Sequence, residues 1–250
     1  MRDCVIGHTG FIGSHLAENN QGALLYNSKN IVDIIGRQFD TVYCAGNYGT
    51  KWLANKNPKD DWKNIELLMS CIETISANRF VLISTIDVYD NPIGVTEANQ
   101  IDTNTQSAYG LHRYKFETFI RSRFANHTVL RLPIVYGHRF KKNIIFDLIN
   151  NNQVEKIDPR AEVQLYCVDN LHDDIRKAIK NNIEVINIAV EPITARDLAQ
   201  GVFNKTLEEK EGDFFKTDMQ SQYGELYNSN DAYLYSKECA MREIREFVLN

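Results

Sequence analysis

Near its start the chain reads Cys4-Val5-Ile6-Gly7-His8-Thr9-Gly10-Phe11-Ile12-Gly13. An apolar run enters three glycines spaced three apart, and the stretch Phe11 to Asn19 beyond them is helix-like. Glycines at these points let the chain turn sharply off a buried strand, bring backbone N–H groups against a pyrophosphate, and pack the next helix closely on a sheet. The N-terminus of that helix then faces the anion, where its dipole is favourable. Glycine clusters are often plain turns. The position of this one, straight after a strand at the head of the chain, selects dinucleotide binding, with Gly7, Thr9, Gly10, Phe11, Ile12 and Gly13 as the contact residues.

Working outward, apolar β-branched runs alternate with amphipathic helical stretches through three quarters of the chain, the signature of parallel βαβ units. Strands are expected at Asp3 to Ile6, Ala23 to Tyr26, Thr41 to Ala45, Phe80 to Ser84, Thr128 to Leu132 and Glu184 to Ile188. Helices are expected at Phe11 to Asn19, Asp60 to Ala77, Ala108 to Phe124 and Asp169 to Asn181. The rhythm breaks between Pro133 and Val168 and again after Ala189, with a polar stretch from Lys205 to Asn230. The fold class is therefore α/β, a Rossmann-type doubly wound parallel sheet with a small, mixed C-terminal substrate lobe. Residues 1–133 plus about 166–189 would form the dinucleotide-binding domain, and about 134–165 plus 190–250 the lobe.

Composition narrows the class of partner. At 250 residues, 43% hydrophobic and 24% charged, the chain has ordinary globular proportions. A net charge of −5 without a basic run argues against nucleic acid. The early first strand leaves no room for a signal peptide, and no apolar stretch is long enough to span a bilayer, so a cytoplasmic protein without a membrane partner is expected. Five scattered cysteines without a CxxC pair read as reduced thiols. No His/Cys cluster has metal-ligand spacing, so no metal is expected.

In an open doubly wound sheet, ligands bind beyond the carboxyl ends of the strands. Those ends carry the glycine turn, Ala45-Gly46-Asn47, Ser84-Thr85-Ile86-Asp87-Val88-Tyr89 and Pro133-Ile134-Val135-Tyr136-Gly137. Further on, Tyr109-Gly110-Leu111-His112-Arg113 opens a helix, where residues four apart share a face and a phenol can meet a guanidinium. In isolation such a pair is commonly a surface cation–π contact, and Thr85 a strand-end turn residue. Their joint order with the GxxGxxG turn, and Val-Tyr-Gly after a Leu-Arg-Leu-Pro strand, resembles an extended short-chain dehydrogenase/reductase of the sugar-nucleotide epimerase/dehydratase type. The resemblance runs from Asp3 to about Leu198.

That resemblance implies Thr85 as the catalytic Ser/Thr, Tyr109 as the catalytic tyrosine, and Arg113 in the place normally held by lysine, where it would hold the cofactor ribose and bias the phenol. Gly110 and Glu117 keep the register of the family's YGxSKxxxE pattern. Drawing a phenol from about 10 toward 7 takes roughly 4 kcal/mol, a contribution a fixed cation can supply. Arginine can do this electrostatically, but it does not deprotonate and so cannot join a proton relay. Related dehydratases resemble Ser-Thr-Asp-Glu-Val-Tyr where this chain has Ile86 then Asp87, so one acid is missing and dehydration is disfavoured. Asp87 is either a substrate or base residue or a turn-capping aspartate.

The second strand ends Tyr26-Asn27-Ser28-Lys29, without the acid that takes both ribose hydroxyls of NAD. Ser28 and Lys29 could hold a 2′-phosphate, so NADP(H) is favoured over NAD, the alternative being a plain polar turn. Asn27, Ala45, Gly46, Pro133 and, by the resemblance, Asn64 complete the cofactor side. Arg139, with Lys142, could bind the diphosphate of a nucleotide-activated sugar or form a solvated loop. The activities implied are keto-sugar reduction or epimerisation. The competitors are another carbonyl substrate and a catalytically silent NADP-binding sensor or regulatory subunit. Pairing of two copies through the helices Asp60 to Ala77 and Ala108 to Phe124 would give a homodimer.

Overall fold

The computed structural model describes residues 1–227 and 232–249. The chain forms two compact units: Met1–Asp90, Gln100–Arg131 and Asn170–Ile186 make the first, and Asn91–Asn99, Leu132–Asp169 and Asn187–Asn250 the second.

The first unit is organised by a six-stranded parallel sheet. Its order is Val185–Asn187, His127–Leu132, Ser76–Thr85, Gln38–Cys44, Arg2–Ile6, Leu24–Tyr26. Cys4, Val5 and Ile6 are buried, as are all six residues of His127–Leu132. Continuous burial of this kind belongs to strands covered on both faces, which is why these segments read as apolar runs instead of alternating. From Arg2–Ile6 the chain steps outward to Leu24–Tyr26 and returns to the other side as Gln38–Cys44, so winding reverses beside the first strand. Right-handed crossovers then put helix Phe11–Asn19 on the opposite face from helices Pro58–Glu73 and Ala108–Arg123. The reversal opens a crevice at the strand ends. Among the described residues only Leu24–Tyr26 lies on that side of the first strand, and its link to the next strand contains a 3-10 turn, Ile31–Ile34.

The core follows from the same elements. Ile65, Leu68 and Ile72 of one helix and Phe116 and Ile120 of another pack on Ile6, Val42, Phe80 and Leu82 of the sheet. Most expected elements appear within a few residues of their assigned bounds. Two differ. The helix expected to reach Ala77 stops at Glu73, and Ser76 and Ala77 already pair with Gln38 and Phe39, a polar strand start that carries no apolar signal. The six-residue helix Lys51–Lys56 was not foreseen, since it buries only Ala54 and so has no periodic face. Pro58 then opens the next helix, where its missing N–H costs nothing.

Among the described residues the second unit has three two-stranded pairings: Ile193–Thr194 with Glu162–Val163, Asp218–Met219 with Ile93–Val95, and Ile134–Tyr136 with Leu165–Cys167. Helices Ile144–Asn150, Ala195–Phe203 and Lys237–Leu249 accompany them. Segment Asn91–Asn99, kept with the dinucleotide domain in the sequence reading, groups here through the Ile93–Val95 pairing. Glu97 strengthens that grouping by accepting from Asn187 N, Ser221 Oγ and Gln222 N. Residues 228–231 and 250, within the polar stretch and lobe expected there, lie outside the described residues. No described helix is long and apolar enough to cross a membrane.

Candidate active site

At the crevice the first strand ends in the glycine turn. Gly7 has φ +88° and its N–H donates to Tyr26 O at 2.8 Å, while Ala45 N donates to Ile6 O at 2.9 Å. A Cβ on Gly7 would lie 2.4 Å from Ala45 O, so only glycine lets the turn and the end of the third strand meet this closely. His8 Nε2 contacts Asn27 Nδ2 at 3.0 Å, tying the turn to the end of the second strand. Beyond it helix Phe11–Asn19 begins with no side-chain cap, leaving its first N–H groups for an incoming acceptor.

A cavity of about 320 Å³ opens over this turn. Of the residues expected on the cofactor side, Gly7, Thr9 and Gly10, Asn27 and Ser28, Ala45 and Gly46, and Asn64 line it. Phe11, Ile12, Gly13 and Lys29 do not, nor do Tyr109 and Arg113. Asn47, Tyr48 and Asp61 line it as well, and Asn47 Oδ1 is buried there without a hydrogen-bond partner. An uncapped helix start, an unpaired amide oxygen and a long apolar-walled cleft fit a dinucleotide.

The second cluster gathers where strand Ser76–Thr85 meets helix Ala108–Arg123. Thr85 Oγ1 accepts from Asp87 N and donates to Asp87 Oδ2, both at 3.2 Å, capping the turn Ile86–Val88. Tyr109, 8% exposed, is buried beside this turn. Its backbone N–H donates to Asn55 Oδ1 at 2.9 Å. Gly110 explains how the helix comes so near: a Cβ there would stand 2.0 Å from Asp87 O. Gly110→Ala is therefore expected to drive helix and turn apart, at about 1–3 kcal/mol as an overpacking change, with a lower urea midpoint as the readout.

Next to Thr85, Ser84 Oγ donates to Glu117 Oε1 at 2.5 Å, and Arg131 grips the same fully buried carboxylate through Nε and Nη2. Arg131 also donates to Tyr89 Oη at 2.8 Å. The glutamate that fixed the sequence register thus bolts the helix to two strands, and it does not reach Tyr109.

Arg113, 2% exposed, stacks over the Tyr109 ring with Cζ 3.9 Å from its centre. Its fork is taken by Asp61, Nη1 to Oδ2 at 2.5 Å and Nη2 to Oδ1 at 2.9 Å, and Nη2 also donates to Tyr48 O at 2.7 Å. His112 Nδ1 meets Asp61 Oδ2 at 2.7 Å. Burial opposes ionisation of Asp61, but the hydrogen bonds from Arg113 and His112 prevail and hold its carboxyl below the usual range. Asp61 escaped the sequence reading because acids in a helix's first turn are ordinary. The Tyr109 phenol is pushed up by burial; Arg113 pulls it down, Asp87 and Asp61 push it up, and the Thr85 side chain lowers it, for a net rise.

Lys51 was missed too: its Nζ pairs with Asp87 Oδ1 at 2.5 Å. Lys115, by contrast, lies over the Trp62 ring. The remaining expected residues belong to the second unit. Pro133 is buried where strand His127–Leu132 gives way to Ile134–Tyr136. Arg139, at φ 71°, and Lys142 are exposed in the loop before helix Ile144–Asn150.

Solved structures share this architecture. Thermotoga maritima UDP-glucose 4-epimerase, solved with UDP-glucose, has 19% identity and a TM-score of 0.72, covering 100% of this chain and 98% of that one. The Bacillus anthracis dTDP-4-dehydrorhamnose reductase in complex with NADP has 15% identity and a TM-score of 0.75, covering 99% and 97%. UDP-N-acetylglucosamine 4-epimerase from Methanobrevibacter ruminantium, in complex with UDP-N-acetylmuramic acid, has 15% identity and a TM-score of 0.76, covering 99% and 97%. Among curated proteins no sequence match is found. The model of the NAD dependent epimerase/dehydratase family matches residues 19–172, a span that starts beyond the glycine turn yet holds Asp61, Thr85, Tyr109 and Arg113. With more than half the chain matched, the protein belongs to the NAD dependent epimerase/dehydratase family.

Proposed function

We propose that the protein is an NAD(P)-dependent enzyme acting on a nucleotide-activated sugar, reducing a keto group. The observation that carries this is the buried Tyr109 beside the half-buried Thr85, linked through Arg113 to Asp61 in the wall of the cavity. A bound nicotinamide supplies hydride chemistry in such a site. Gly7, Gly10 and the open start of helix Phe11–Asn19 would hold its pyrophosphate, and Asn27 and Ser28 the adenosine ribose.

Tyr109 is the proton donor. Its phenol stays protonated through the neutral range because burial outweighs the pull of Arg113. In that state it can give a proton to the oxygen of a keto group as the carbonyl carbon is reduced, while the Thr85 hydroxyl, its proton turned from Asp87 Oδ2, donates to the same oxygen. The end of the second strand carries no acid and suits an exchanging NADPH, so net reduction is preferred to epimerisation. Arg113, already bonded by Asp61, orients the ring by stacking and is a fixed positive charge beside it.

NADPH is the expected partner over NADH. Where the second strand ends, the cavity wall carries Asn27 and Ser28 and no carboxylate from that strand end, so a 2′-phosphate meets no repulsion, and Lys29 follows directly. The test is direct: titrate NADPH and NADH by fluorescence, then follow NADPH consumption with dTDP- and UDP-4-keto-6-deoxy sugars. Tighter NADPH binding and turnover with one of these sugars is the expected result. Binding without turnover on any would favour a silent NADP sensor, and no binding of either dinucleotide would overturn the reading.

A further inference from the structure

The proposed site has a second cation that its sequence pattern did not suggest. Arg113 stands where a lysine is usual, and its charge is largely spent on Asp61, which meets it through both Nη atoms. The Asp87 carboxylate is among the charges acting on Tyr109 and disfavours ionisation of the phenol. Lys51 Nζ sits 2.5 Å from Asp87 Oδ1, and the other carboxylate oxygen accepts from Thr85. A line of contacts therefore runs from ammonium to carboxylate to hydroxyl, and the backbone of Asp87 lies against the Tyr109 helix, its O only 2.0 Å from where a Cβ on Gly110 would stand.

The element that carries Lys51 is built into the same cluster. Lys51 opens helix Lys51–Lys56, and one turn on, Asn55 Oδ1 accepts the Tyr109 backbone N–H. The helix thus presents an amide to the tyrosine's main chain and an ammonium to the acid beside its side chain. The Lys51 side chain remains 52% exposed, so its charge needs no burial to be kept, and Asp87 at 27% is screened less than a surface acid.

We propose, building on the active-site reading above, that Lys51 is a positioning residue of this site: by pairing with Asp87 it keeps that carboxylate from opposing the proton chemistry of Tyr109. The charged groups facing the phenol are Arg113 on its own helix, Asp61 on helix Pro58–Glu73 and Asp87 on the turn after strand Ser76–Thr85. Lys51 reaches it only through Asp87. Two separated residues then divide the work, with Arg113 orienting the ring and Lys51 balancing the acid.

The test reads the phenol itself and needs no substrate. The full chain labelled with 3-fluorotyrosine is titrated by 19F NMR, with the Tyr109 resonance assigned by its loss in Tyr109→Phe. Lys51→Met is expected to raise the Tyr109 midpoint by up to about one pH unit, less than the roughly 1–3 units of a direct charge partner, because Lys51 reaches the phenol only through Asp87. Lys51→Arg should restore it to within a few tenths. Asp87→Asn should lower it, and in that background Lys51→Met should move it little, because the carboxylate it balances is gone. The other tyrosine resonances report whether each variant is folded. An unchanged midpoint in Lys51→Met, or an equal shift in the Asp87→Asn background, overturns the proposal. Because no dinucleotide is present, failure here leaves NADPH binding and turnover standing, and failure of those leaves the titration readable.

Discussion

Tyr109→Phe is expected to lower kcat for keto-sugar reduction by about 10²–10⁴, the range that a positioned proton donor contributes. The change removes one oxygen and keeps the ring, so the stacking of Arg113 at 3.9 Å and the buried packing survive. NADPH affinity should therefore stay within about twofold, which separates a lost proton from a lost fold. Thr85→Val should fall in the same direction by less, since it takes a hydrogen bond from the reacting oxygen without removing the donor. Steady-state kinetics with dinucleotide titration on the same preparations checks both. Undiminished turnover in Tyr109→Phe would dismiss the phenol as the acid.

Asp61→Asn should be the most damaging change to stability, at about 3–5 kcal/mol, the usual cost of removing one member of a buried ion pair. Arg113 is the reason. Its guanidinium is 2% exposed, its Nε is buried without a partner, and losing the carboxylate would strip the charge of its main compensation. Urea denaturation measures the loss. The double change Asp61→Leu with Arg113→Met should recover most of it, because an apolar pair of similar volume needs no desolvation repaid. A pH signature accompanies the pair. With its carboxyl held low in the fold, Asp61 contributes stability that is fully present above the unfolded value near 4 and disappears as pH falls through the depressed folded value. Asp61→Asn should therefore flatten the acid limb of the stability curve. A cost under about 1 kcal/mol would mean the pair contributes no more than an exposed one.

How far the site could be read in advance depended on sequence distance. Thr85, Tyr109 and Gly110 stand in a short, ordered pattern, and the close approach of Gly110 to Asp87 O shows why that pattern keeps its glycine. The turn Gly7 to Gly13 was legible for the same reason, since a local backbone requirement leaves a local mark. Lys51 and Asp61 left none. Each is a charged residue on a polar helix turn, and each matters only because chain folding carries it to a partner 36 or 52 positions away.

The sequence by itself determined that strands and helices alternate, that the first strand turns through glycines into a helix, and that a threonine, a tyrosine and an arginine occur in a fixed order. These are consequences of periodicity and of backbone geometry, which act over a few residues. Tertiary structure alone decided the strand order, with winding reversed at the first strand, because which strands become neighbours depends on pairing between segments far apart in the chain. It also decided the charge balance around Tyr109. Coulomb interactions and desolvation depend on separation in space, and that separation exists only once the sheet has assembled.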